Sequence, residues 1–367
     1  MSWIFSSVNH ADICINISCD EGIILMSQHK FVDRIEEMKI LESAMSAKGT
    51  SLFILYGRRR VGKTELISKF LGTRYVYFLA SAEGDRENIN SFKAIMSKFL
   101  GDEGILTANL DNWHSLFTVL TSSSSFQAKA RGSKIIIAID EFPYLIEANR
   151  AIPSVFQKVY DTVLREKNVM LILSGSSISM MENEVLSYRS PLYGRRTGQL
   201  QLRPLKFRYL FEFVNYEFED LCNTYFVFGG IPDYLLKLDP DTGFWENVSK
   251  SIISKGSPLY EEADFLLRTK FREPGNYMLI LRSISYGNHT LGGMCAYSRL
   301  DKSMVSKYLD VLMSLGLIIP EKPFGASEKF KRRLYWISDP YLKFWFRYVL
   351  PTRARLRILA MKRFLRS

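Results

Sequence analysis

The segment LYGRRRVGKTELI, residues 55–67, decides the fold. Gly57, Gly62, Lys63 and Thr64 stand at the spacing G-x-x-x-x-G-K-T. A chain that wraps round an anion points successive backbone N–H groups inward, which needs glycine's freedom at positive φ. A helix beginning at about Lys63 adds the positive end of its dipole. Lys63 supplies a point charge for β- and γ-phosphates, and the Thr64 hydroxyl is an oxygen ligand for Mg²⁺. The flanks agree: SLFILY (51–56) reads as a buried strand and KTELISKFL (63–71) as an amphipathic helix. Together they predict a nucleotide-binding loop over Gly57, Arg58, Arg59, Arg60, Val61, Gly62, Lys63, Thr64 and Glu65. The three arginines fill the variable positions, so their side chains are expected on a solvated or salt-bridged exterior of the loop.

Moving outward, IIIAIDEF (135–142) is an apolar strand that ends in Asp140 and Glu141. Such a strand can deliver Asp140 to the Mg²⁺ shell beside Thr64, with Glu141 as general base for an attacking water. An Asp-Glu pair after a strand can also be a plain helix start, but the upstream phosphate loop favours the catalytic reading. In LILSGSSISMM (171–181), Ser174 and Ser176 are candidates to sense a γ-phosphate or hold the water, and Ser177 is a candidate helix cap. In SPLYGRRTGQL (190–200), Arg195 or Arg196 could neutralise transition-state charge within the chain or in a neighbouring subunit. A surface pair of arginines is the equal alternative.

Strands RYVYFLA (74–80), KIIIAID (134–140), VMLILSG (169–175) and the edge strand GQLQLRPL (198–205) alternate with helical patterns, which predicts an α/β fold with a doubly wound parallel sheet. A helix over residues 33–48 opens with Asp33 and Glu36 as a capping pair. Residues 1–25 read as an N-terminal extension, 26–205 as the α/β core, and 206–263 as a helical lid. From 264 to 351, three helices and two strand-like runs predict a winged helix-turn-helix, and 352–367 is a basic tail.

The 367 residues carry a formal charge of +11, and it is unevenly placed. Asp264–Ser367 holds 20 Lys and Arg against 7 Asp and Glu, a net of +13, whereas the remainder holds 29 against 31. That asymmetry points to DNA or another polyanion as a partner for residues 264–367. No apolar run approaches the roughly 18 residues of a membrane span, the N-terminus lacks a secretory pattern, and the four cysteines match no metal spacing. A reduced, cytoplasmic protein is expected.

The motifs FVDRIEEM, LYGRRRVGKTELI, IAIDEFPYL, LSGSSISMM, SPLYGRRT, FGGIPDYL and YWISDPYLKFWFRYVLP occur in this order between Lys30 and Pro351. In this the chain resembles the archaeal-type ATPases of the STAND branch of AAA+-related P-loop proteins. The resemblance implies ATP and Mg²⁺ as ligands, with Lys63, Thr64, Asp140 and Glu141 in the roles above. It also implies that Phe31–Arg34 lies near the adenine, and that Pro232 couples nucleotide state to the lid. Members of this family usually continue into a nuclease-like domain. This sequence instead runs into TRARLRILAMKRFLRS (352–367), so nuclease activity is not expected. That tail reads either as a basic amphipathic helix for a nucleic acid, membrane or partner, or as an ordinary packed terminal helix.

The expectation is therefore an ATP-dependent switch, slow in hydrolysis, coupled to a DNA- or partner-binding winged helix, with a nucleotide-dependent homo-oligomer as a further expectation. The alternative is a DNA-binding regulator or replication-initiator-like protein in which ATP is structural. A small-molecule kinase is disfavoured, because a hydrolytic base at Glu141 would waste ATP.

Overall fold

Strand β1 (Ser51–Tyr56) is buried along its whole length, as its six apolar or small residues require, and the phosphate loop leaves its C-terminal end. In the computed structural model, which describes residues 31–71, 75–271, 273–325 and 333–353, it is joined by β2 (Tyr75–Leu79), β3 (Ile135–Asp140), β4 (Val169–Gly175) and β5 (Gly198–Gln201). The five run parallel in the order β2-β3-β4-β1-β5. Strand β4 thus separates the phosphate-loop strand from the strand carrying Asp140. Leu55 of β1 is level with Ser174, and Ile139 of β3 with Leu173, so the loop and both acids emerge at one edge of the sheet. This is the edge where ligands bind in open α/β sheets.

Helices cover both faces. Leu66, Ile67 and Leu71 of helix Lys63–Leu71 pack on one side with Phe53, Leu55 and Ile172. Phe92, Trp113, Phe117 and Phe156 form an aromatic cluster on the other, with ring centroids 5.5–6.1 Å apart around Trp113 and Phe117. Burial on both faces explains why β1, β3 and β4 read as continuous apolar runs rather than alternating ones.

The chain then forms helices Phe218–Phe228, Phe244–Val248 and Glu262–Lys270, with a short helix Pro232–Leu235. Helices Pro274–Ser285, Leu291–Ser298 and Lys302–Ser314 follow, and β6 (Ile318–Glu321) pairs antiparallel with β7 (Leu334–Ile337). Three helices and a two-stranded wing are the winged-helix arrangement. Asp301 caps the third helix, its carboxylate accepting from the Met304 N–H at 2.9 Å. One continuous core runs from Leu205 through Phe228 and Tyr234 to Trp345 and Phe346.

Several expectations are corrected in detail. Helix Ile35–Ser46 has no side-chain cap, because Asp33 and Arg34 both take left-handed backbone (φ 64° and 75°) and neither side chain bonds the first turn's N–H groups. The edge strand ends at Gln201. Arg353, expected as a tail cation, is buried and bonded to Asp264 at 2.7 Å, with Tyr260 beneath its guanidinium. The expectations for residues 1–25 and for the tail beyond Arg353 fall outside the described residues.

Candidate functional site

The phosphate loop closes over a cavity of about 620 Å³, within the range typical of small-molecule sites. Glycine is required at two places in it. A Cβ on Gly57 would lie 2.4 Å from the Leu202 carbonyl oxygen, and Gly62 has φ 94°. The Lys63 ammonium is buried and folds back to donate to the carbonyls of Gly57 (3.0 Å) and Arg58 (3.1 Å). It therefore sits in the mouth of the loop, where an anion would be cradled.

The acids gather beside it. Thr64 Oγ1 and the Tyr77 hydroxyl both donate to Asp140 Oδ2 at 2.9 Å, and the Glu141 N–H donates to Oδ1 at 2.9 Å. The Thr64 hydroxyl and the Asp140 carboxylate are thus oxygen donors held in contact at the loop, the donor class that Mg²⁺ takes. Burial, and then the neighbouring Asp140 charge, push the Tyr77 hydroxyl far above its ordinary range, so it remains a donor. Sequence reasoning missed Tyr77. A tyrosine in a buried strand needs a hydroxyl partner, and the pairing of β2 with β3 supplies Asp140.

Glu141 lines the cavity and also takes left-handed backbone, φ 52°. Its Oε2 accepts from Ser176 Oγ at 2.8 Å and from the Ser176 N–H at 3.3 Å. Ser176 therefore holds the candidate base. Ser174 is buried near the end of β4, its hydroxyl has no hydrogen-bond partner among the described residues, and it does not line the cavity.

Phe31, Arg34, Glu65 and Pro232 line the same cavity. Arg34, however, is buried and bonds the carbonyls of Val61 (3.1 Å) and Arg203 (2.9 Å) and the Glu37 carboxylate (2.9 Å). Its guanidinium ties the loop to the chain after β5. A Cβ added to Gly62 would lie 3.9 Å from Pro232 Cγ, so the short helix Pro232–Leu235 within the lid stands close against the loop.

The loop arginines divide. Arg59 is exposed and reaches Tyr144 at 3.5 Å. Arg60 bonds Glu262 at 2.7 Å and Asp233 at 3.5 Å. Arg58 bonds Asp339 at 2.7 Å, where the carboxylate is 1% exposed. Burial alone would lower the Arg58 guanidinium's pKa, but the Asp339 charge and hydrogen bond, together with Tyr234 and Glu262, leave it raised above its ordinary value. The salt-bridged expectation fits Arg58 and Arg60, but their partners lie in the lid and beyond the wing. Arg195 pairs with Asp161 at 3.0 Å, and Arg196 donates to the Leu186 carbonyl at 2.7 Å. Neither lines the cavity, so the chain does not bring them to the phosphate loop. Among the described residues no helix is long and apolar enough to cross a membrane.

Among known proteins, an ATPase domain found predominantly in Archaea matches residues 31–238. An uncharacterized protein of Methanocaldococcus jannaschii is 40% identical over 323 residues, which span 88% of this chain and 69% of the relative. A Walker-type ATPase of Pyrococcus abyssi superposes with a TM-score of 0.62 at 21% identity, covering 88% of this chain and 97% of its own. The ORC2 protein of Aeropyrum pernix, solved in ADPNP-ADP complexes, gives 0.55 at 15% identity, covering 91% of this chain and 98% of its own. The two structures share the fold, and the family match spans the phosphate loop, both acids and Pro232: the chain belongs to the P-loop ATPase family whose domain is found predominantly in Archaea.

Proposed function

We propose that the chain binds Mg²⁺ and ATP in this cavity, hydrolyses ATP slowly, and works as a nucleotide-controlled switch whose winged helix takes DNA or a protein partner. The observation that carries the reading is the ion pair from Arg58 in the phosphate loop to Asp339. Asp339 also caps helix Pro340–Phe344, accepting from the Tyr341 N–H at 2.9 Å, and that helix is anchored in the C-terminal core by buried Tyr341. A change in the loop therefore bears on the first turn of a buried helix in the C-terminal module.

A triphosphate entering the loop competes for its cations. Lys63 exchanges the carbonyls of Gly57 and Arg58 for phosphate oxygens. Arg58 and Arg60 then stand between two sets of anions, the phosphates and the carboxylates of Asp339 and Glu262. Because such coupling is reciprocal, whatever loosens the C-terminal module also alters nucleotide affinity. Mg²⁺, when bound at Thr64 and Asp140, neutralises charge on the β- and γ-phosphates. Glu141 accepts the proton of the attacking water, and its carboxylate must first leave Ser176. A base held at rest by another bond supports slow turnover. Arg195 or Arg196 supplies its charge, on this reading, to a neighbouring subunit in a nucleotide-dependent oligomer.

Phosphate release by the intact chain tests the proposal. The expected result is slow turnover that needs Mg²⁺ and stops in Glu141→Gln while ATP remains bound. ATP bound by the wild-type chain with no turnover at all, with or without DNA, would instead favour a regulator in which nucleotide is structural.

A further inference from the structure

A second cavity, of about 960 Å³, opens between helices Phe218–Phe228 and Phe244–Val248 and the segment Pro340–Val349. It shares no lining residue with the nucleotide cavity, and helix Lys302–Ser314 contributes none to it. Its rim exposes large aromatic rings: Phe226 is 70% exposed, Trp245 74% and Tyr348 60%. Surface rings on this scale mark binding sites rather than core. Two cations stand among them, Lys343 and Arg347, both exposed and one helical turn apart. The Arg347 guanidinium lies 4.7 Å over the Tyr286 ring. Neither cation has an acidic partner among the described residues, and no Asp or Glu lines the cleft.

Flat apolar surfaces and unneutralised cations set side by side call for a ligand that alternates flat rings with anions. A polynucleotide strand does so at every residue. In a duplex the base faces are already stacked on one another, so rings in a cleft can reach only unpaired bases. We propose that this cleft binds single-stranded nucleic acid, with bases stacking on Phe226, Trp245 and Tyr348 and phosphates meeting Lys343 and Arg347. The site lies apart from the third helix of the winged helix and does not depend on how that helix is used. Strand binding here sits on the module that Asp339 joins to the phosphate loop.

The test uses the full chain and a fluorescein-labelled 15-nucleotide oligo-dT at low ionic strength, read by anisotropy. Wild type should bind it, and an unlabelled duplex of equal length should compete poorly. Trp245→Ala should weaken binding about tenfold, the loss of one stacked base. Lys343→Glu with Arg347→Glu should weaken it further and flatten the log–log salt dependence by roughly 0.7 for each phosphate no longer neutralised. These side chains are exposed, so unchanged ATP affinity and thermal unfolding serve as the control for folding. Absence of oligo-dT binding by the wild type, or wild-type affinity in both variants, would overturn the proposal. So would quenching of tryptophan fluorescence by an acidic amphipathic peptide but not by oligo-dT, with that quenching lost in Trp245→Ala, which would make the cleft a protein-docking groove.

Discussion

The phosphate-loop edge of the sheet and the winged-helix module use charge in opposite ways. At the sheet edge Lys63, Asp140 and Glu141 are bonded to uncharged neighbours: Lys63 to carbonyls of its own loop, Asp140 to Thr64 and Tyr77, Glu141 to Ser176. Their placement follows from strands that are buried end to end and stop together. The module carries the basic excess of the sequence, yet its two most buried charges, Asp339 and Arg353, are spent on internal contacts. Chemistry in the first region is set by backbone geometry. In the second it lies on exposed surface, and what joins the two is a tertiary ion pair.

The sharpest way to break this contrast is to remove the base alone. Glu141→Gln should lower turnover on the order of 10³-fold with nucleotide affinity unchanged, because Thr64 and Asp140 remain. Phosphate release and equilibrium binding of a fluorescent ATP analogue, measured on one preparation, check it. Lost binding with turnover per bound ATP unchanged would reverse the roles of the two acids. Lys63→Ala should weaken nucleotide binding on the order of 100-fold, since a buried phosphate loses its point charge. Undiminished affinity by calorimetry would mean that the loop is not the site.

Asp339→Ala addresses the join. It leaves the largely buried Arg58 without its partner and removes a helix cap, at a combined cost of about 4 kcal/mol. Urea unfolding should show this loss, and Arg58→Asp combined with Asp339→Arg should recover part of it. A variant as stable as wild type would mean that the ion pair holds nothing together. Ser176→Ala is the mildest change. Freeing Glu141 from a bond worth about 1 kcal/mol should raise basal turnover several-fold. A large fall would instead place Ser176 among the groups that hold the attacking water.

How far the sequence can be read follows the same division. The strands Ser51–Tyr56 and Ile135–Asp140 are legible because a strand buried on both faces admits only apolar residues. The places of Lys63 and Thr64 are legible from the glycine spacing of the loop, and those of Asp140 and Glu141 from the apolar strand that ends at Asp140. The roles of Arg58, Arg60 and Arg34 are not, because their partners Asp339, Glu262 and Arg203 lie far away in sequence and no local spacing announces them. The left-handed backbone at Asp33 and Arg34 also leaves no local signal, so Asp33 and Glu36 have the spacing of a capping pair without forming one. The Arg195–Asp161 pair likewise escapes, since Asp161 lies on a helix whose charged face looks like ordinary surface. Arg353 looks like tail surface for the same reason, although it packs on Tyr260 and Trp345.

The central claim is that nucleotide in the loop is felt at Asp339. Hydrogen–deuterium exchange of the intact chain, with and without Mg²⁺ and a slowly hydrolysed ATP analogue, tests it most directly. Nucleotide should protect the loop amides from Gly57 to Thr64 and speed exchange across residues 340–349, and Arg58→Ala should show that faster exchange without nucleotide. Protection of the loop with residues 340–349 unchanged, in wild type and in Arg58→Ala alike, would contradict the account.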